Sequence, residues 1–124
     1  MKRIVLIALV ALAGCTTLHE TRQGKVHHVV LCWLKDSGNA AQRQQIIEAS
    51  RSFSKIPGVL DVRVGEPIPS DRSIVDDSFD VAVPVTFADV RGLETYQNHP
   101  LHKKAGAEIL MPLARKVVVY DFRE

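Results

Sequence analysis

Two stretches of this sequence are apolar at successive positions yet too short and too rich in β-branched residues for helices, and that narrows the folds open to it. Residues 27–35 (HHVVLCWLK) and 116–122 (KVVVYDF) both read this way, as a first and a last strand. An antiparallel sheet with helices on one side only should alternate apolar with polar residues. Here two strands are apolar on both faces, so something must cover the second face. Another sheet packed about 10 Å away would do so. Its simplest source is a second copy of the chain, which predicts a homodimer.

The segments between them have cleaner periods. Residues 79–87 (FDVAVPVTF) put Phe79, Val81, Val83, Val85 and Phe87 on one side of a strand, and residues 59–66 alternate Leu60, Val62 and Val64 against Asp61, Arg63 and Gly65. Over residues 39–55 the period changes: Ile46, Ala49 or Ser50, Phe53 and Ile56 share one helix face, and Pro57-Gly58 stops it. Asp89 is placed to cap a second helix in which Val90, Leu93 and either Tyr96 or Gln97 share a face. His99-Pro100 breaks that helix, and Pro100 opens a further helical stretch carrying Leu101, Ala105 and Ile109, ended by Pro112. The order β-α-β-β-α-β predicts an α+β, ferredoxin-like domain, a four-stranded antiparallel sheet with helices on one face. In that topology the third strand is central. Pro84 therefore calls for a bulge, or for an exposed edge, where its missing donor falls.

The N-terminus reads as an address. Met1-Lys2-Arg3 is basic, and residues 4–13 (IVLIALVALA) are apolar without a break. Such a run reaches about half of a ~30 Å hydrocarbon core, the size of a signal-peptide core rather than of a membrane span. Leu12-Ala13-Gly14-Cys15 resembles the bacterial lipoprotein box, which implies cleavage after residue 14 and lipid on Cys15. The resulting division is a signal peptide over 1–14, a polar tether over 15–25 and one domain over 26–124. Two or three acyl chains, at about 0.8 kcal/mol per buried methylene, would hold it to a membrane. Thr16 after the cysteine implies the outer membrane, with the domain facing the periplasm. Without Lys2 and Arg3 the chain keeps fourteen basic and fourteen acidic residues. That balance speaks against nucleic acid as a partner. Cys32 is then the only thiol left, and its apolar surroundings make it a small buried hydrophobe.

His28-Val29-Val30-Leu31, Val83-Pro84-Val85-Thr86-Phe87 and above all Tyr96-Gln97-Asn98-His99-Pro100-Leu101-His102 resemble the stress-responsive dimeric α/β barrel (Dabb) family. The resemblance covers residues 26–122. It implies a homodimer whose two sheets close into a barrel, with a cleft between sheet and helices, and for most bacterial members no assigned activity. A plant branch of the family is a polyketide cyclase, and its catalytic tyrosine, histidine and strand-one histidine match Tyr96, His102 and His28. That branch also has a histidine in its third strand where this chain has Val81, so the pocket differs.

Tyr96 and His102 are thus the candidate catalytic pair, with His28, Trp33 and His99 as candidate pocket residues. An imidazole can take a proton beside a carbonyl while a phenol hydrogen-bonds the oxygen on which charge grows. His99 is also explained by capping a helix start, and Tyr96 by a ring in the core with its hydroxyl at the rim. The histidines show no carboxylate at metal-ligand spacing, and neither metal nor cofactor is expected. Three readings follow: a lipid-anchored dimer of unestablished activity that binds a small apolar ligand or an envelope partner; a cyclase-like or isomerase-like enzyme; and a haem-handling barrel resembling related monooxygenases.

Overall fold

The computed structural model describes residues 24–124. The signal peptide, lipidation at Cys15 and all but the end of the tether lie outside the described residues. Strand β1 is Val26–Leu34. Helix α1, Ala40–Arg51, starts where the Asn39 side chain accepts the Gln42 N–H, and it tightens into a 3-10 turn, Ser52–Lys55, that turns Phe53 inward. The chain reverses at Gly58, whose φ of +90° suits a residue without Cβ. Strands β2, Val59–Val62, and β3, Val81–Phe87, follow, joined by the long connection 63–80. Helix α2, Val90–Asn98, is capped by Asp89. After His99, helix α3, Pro100–Ala105, widens into a π-helical segment, Gly106–Leu110, closes on the turn Met111–Leu113, and leads into β4, Ala114–Arg123. No helix of the described residues is long and apolar enough to cross a membrane.

The strands form one antiparallel sheet in the order β2-β3-β1-β4, the ferredoxin-like topology. Val30 lies opposite Val83 on one side and Val119 on the other, and this register decides which side chains share a face. Val26, His28, Val30, Cys32 and Leu34 point to the helices together with Val81, Val83, Val85 and Phe87, and the core forms there with Ile46, Phe53, Ile56 and Leu93. The opposite parity, His27, Val29, Leu31 and Trp33 with Pro84, Thr86, Val118, Tyr120 and Phe122, makes the outer face. No helix covers it.

Three details depart from the sequence reading. Leu60 does not point inward: Val59 pairs with Phe87 but Asp61 with Thr86, so an extra residue is accommodated at Leu60, which is left exposed. Pro84 carries no bulge against β1. Its carbonyl accepts the Arg63 N–H at 2.9 Å, so its missing donor faces the edge strand β2. Regular pairing stops at Val62 and resumes as a single bridge, Gly65 to Ala82. Phe79 precedes β3 instead of joining its inward row, and its ring stands edge-on to Trp33 with centroids 6.3 Å apart.

The residue between them is the surprise. Asp80 is buried and accepts from the backbone N–H of Leu34 (2.8 Å) and Gly38 (2.7 Å) and from the Ser37 hydroxyl (3.3 Å). Burial alone would raise its pKa. The Gly38, Leu34 and Ser37 hydrogen bonds and the charge of Arg43 outweigh burial and hold the carboxyl below its ordinary value. It pins the end of β1 to the start of β3.

Candidate functional site

The helices leave a cleft against the sheet. Val30, Cys32 and Val83 form its floor; Ile46, Ser50 and Phe53 form one wall; Tyr96, His102, Gly106 and Ile109 close it from the other side. Its volume is about 50 Å³, space for a few waters at roughly 10–15 Å³ each or for one small molecule in their place. Haem does not fit such a space, since sites for drug-sized ligands already run to roughly 300–1,000 Å³. Among the described residues no three His, Cys, Asp or Glu side chains gather as a metal site needs.

Tyr96 sits at the centre. The 3.6-residue period of α2 turns Leu93 and Tyr96 inward together. The ring lies 5.2 Å from Phe87, 5.5 Å from Phe53 and 5.6 Å from His28, centroid to centroid, with His102 at 4.3 Å. Burial is the one influence on its phenol and drives the pKa well up, so Tyr96 is a permanent O–H donor at neutral pH. No described residue hydrogen-bonds that hydroxyl.

His102 reaches the same space because α3 restarts at Pro100 after the break at His99. Its Nδ1 lies 3.3 Å from the Gln97 carbonyl, which can only accept, so Nδ1 carries the proton and Nε2 of the neutral ring is left as a base. Burial lowers its pKa; the Gln97 bond works the other way, and the nearby His28 adds to the lowering. At neutral pH the ring is uncharged. A protonated donor and an unprotonated base thus share one apolar cleft.

His28, on the helix-facing parity of β1, is buried behind Tyr96, and its Nδ1–H donates to Asp121 Oδ1 at 2.6 Å. Asp121 faces His28 across the β1–β4 ladder. Sequence reasoning passes it over, because the pairing is visible only once the register is known. His28 stands behind the cleft wall rather than in it, and two further candidates, His99 and Trp33, do not line the cleft either. His99 caps α3, its Nδ1 accepting the Leu101 N–H at 3.2 Å. Trp33 has the outward parity of β1: it lies on the outer face, donates to Ser78 Oγ at 2.9 Å, and has the Lys116 ammonium 4.3 Å above its ring. Cys32 is 1% exposed in the cleft floor, and burial, followed by the charge of Asp80, pushes its thiol up to about 11. It is inert as a nucleophile at neutral pH.

Comparison with known proteins adds the following. The family model for the stress-responsive A/B barrel domain (Dabb) matches residues 26–124. The fold is similar to a Dabb family protein with a ferredoxin-like fold from Mesorhizobium loti, 21% identical, covering 82% of this chain and 98% of that one with a TM-score of 0.68. It is similar to a dimeric ferredoxin-like protein of unknown function from Thermobifida fusca, 25% identical, covering 86% and 96% with a TM-score of 0.67. It is also similar to a hydroxynitrile lyase from Passiflora edulis, 22% identical, covering 82% and 94% with a TM-score of 0.70. No curated protein matches the chain.

Proposed function

This chain belongs to the stress-responsive A/B barrel (Dabb) family, and we propose that it acts as a lipid-anchored homodimer whose cleft takes a small apolar carbonyl compound and moves a proton on it. The observation that carries this reading is the convergence of Tyr96 and His102, centroids 4.3 Å apart, on a cleft that is otherwise apolar. In the proposed step His102 Nε2 takes a proton from the carbon beside the carbonyl. The C–H electron pair becomes the new carbon–carbon double bond, and Tyr96 O–H hydrogen-bonds the oxygen on which negative charge grows. Asp121 holds the His28 ring against Tyr96 and so helps fix the tyrosine. The likeness to the Passiflora lyase is one of fold; the Tyr96–His102 geometry supports the chemistry.

The dimer rests on the outer face. Tyr120 and Phe122 are 59% and 54% exposed there, beside half-buried Val29, Leu31 and Val118. A monomer would leave this apolar stripe in water. The Thermobifida fusca neighbour is described as dimeric, which agrees with a second sheet lying on this one. The anchor rests on Leu12-Ala13-Gly14-Cys15 alone. In this reading the domain works at the periplasmic side of the outer membrane.

Exchange of the α-protons of 2-hexanone for deuterium, followed by NMR in D₂O, tests the site. The wild-type chain should accelerate exchange over buffer, and His102→Ala and Tyr96→Phe should each remove most of the acceleration; no acceleration by the wild type would overturn the reading. For the anchor, Cys15→Ser should shift the protein from the membrane to the soluble fraction, and retention in the membrane would overturn it.

A further inference from the structure

Gly106 lines the cleft at the start of the π-helical segment, one turn beyond His102. Two other glycines have local reasons to be glycine. Gly58 has φ +90°, and a Cβ on Gly92 would come within 3.2 Å of the Phe87 Cβ and 3.3 Å of the Gly58 carbonyl oxygen. Gly106 has neither reason. Its φ of −60° and ψ of −51° are helical, where alanine is the better residue, and a Cβ built on it meets nothing within 4 Å. His102, Ala105, Gly106, Ile109 and Leu110 recur at helical spacing along the wall of the cleft, so that empty volume belongs to the cleft. A Cβ leans toward the N-terminus of its helix. The missing side chain at 106 would therefore lean toward His102 and the Tyr96 ring. The helix gives up local stability at this position, and the one thing gained is space next to the acid–base pair. The π-helical segment Gly106–Leu110 is of the kind frequently found at functional sites.

We propose that Gly106 determines ligand size: the void above it receives the alkyl substituent of a carbonyl compound whose oxygen rests on the Tyr96 hydroxyl, so the preferred class is a carbonyl compound with a short unbranched chain. This rests on the acid–base reading of the cleft above. The carbonyl end is fixed by Tyr96, and the chain runs along Gly106 toward Ile109. Each methylene that enters this apolar space should tighten binding about fourfold, until the void is full.

The test is a series of 2-alkanones from 2-butanone to 2-nonanone bound to the full-length protein, with affinity read by titration NMR and thermal stability measured alongside. In the wild type, affinity should rise with chain length to a maximum and then fall. Gly106→Ala should shift that maximum to a chain at least one methylene shorter, weaken the longer ketones tenfold or more, and raise Tm by roughly 2–6 °C through helix propensity. Ile109→Ala, which enlarges the same wall, should move the maximum to longer chains. Tyr96→Phe should weaken every ketone by a similar factor without moving the maximum. If the wild type binds and Tyr96→Phe weakens it, but Gly106→Ala leaves the length profile unchanged, the size-selecting role is overturned and the acid–base reading stands. A fall in Tm for Gly106→Ala would overturn it as well, since the site would then not be empty. If no ketone binds the wild type, both readings fall together.

Discussion

The two faces of the sheet are made of the same kinds of residue and end in different states. On the helix side, Val81, Val83, Val85 and Phe87 are closed over by α1, α2 and α3, and only the cleft interrupts the packing. On the outer side, no described element covers Val29, Leu31, Val118, Tyr120 and Phe122, whereas Trp33 is sealed by Ser78, Phe79 and Lys116. An apolar strand pattern therefore states that a face is to be buried but not by what. Local chain supplies the cover on one side. On the other, the outer face is left for an external partner.

The largest effects should separate the faces. Val118 pairs with Leu31 on the outer face and Val119 with Val30 on the helix side, where it is 45% exposed at the sheet edge. Val118→Asp should weaken the dimer at least a hundredfold, because a buried unpartnered charge costs about 3–5 kcal/mol, whereas Val119→Asp should leave it nearly unchanged. Sedimentation over a range of concentrations decides this, and a dimer untouched by Val118→Asp would remove the outer face as an interface. Two phenylalanines extend the contrast. Phe87→Ala should cost about 3–5 kcal/mol in urea unfolding at any protein concentration. Phe122→Ala, which loses a ring stacked 4.8 Å from His27 on the outer face, should cost stability in a concentration-dependent way.

Asp80 sharpens the comparison at the point where the faces meet. Asp80→Ala leaves the Leu34 and Gly38 N–H groups without their acceptor, and should cost about 2–4 kcal/mol. Because its folded pKa is depressed, the native carboxylate contributes stability that is complete above the ordinary value of 3.8 and lost as pH falls through the lower, folded value. The wild type should lose stability steeply in that acid range, and the variant less so. Acid titrations of both, followed by circular dichroism, check it.

How far the sequence could be read follows from the range of the forces involved. The alternation in β3, the cap at Asp89 and the break at His99-Pro100 are local, so they are legible, and with them the element order and fold. Leu60 and Phe79 are misassigned because each is displaced by a long-range event, a bulge opposite Phe87 and the anchoring of Asp80 beneath β1. Tyr96 and His102 are singled out as a pair only by the resemblance to the plant cyclase branch, since spacing across the helix break leaves open whether His102 faces the sheet or water. Trp33 cannot be excluded, because the face it takes depends on the register of three strands. Asp121 and Gly106 go unnoticed for the opposite reasons. One acts through a cross-strand partner far away in sequence, and the other through an atom it lacks.

The smallest stability effect belongs to the residue at the centre of the site, which marks it off from its packed neighbours. Tyr96→Phe removes a hydroxyl that no described residue bonds and keeps the ring among Phe53, Phe87 and His102. Stability should therefore change by less than about 0.5 kcal/mol, whereas a hydroxyl satisfied in the core would cost about 1 kcal/mol or more. Ketone exchange should nevertheless fall sharply, since the donor to the developing oxyanion is gone. The accompanying pH profile has a defined sign. His102 is depressed below 6.5 in the folded chain, so wild-type exchange should be flat from pH 8 down past 6.5 and be lost only as pH falls through that lower value. Stability follows the same direction: the neutral folded imidazole contributes fully above 6.5 and loses its contribution as acid protonates it. His102→Gln should flatten that step in the stability profile. A midpoint at or above 6.5 for exchange would mean that the base in the cleft is not the buried ring beside Tyr96.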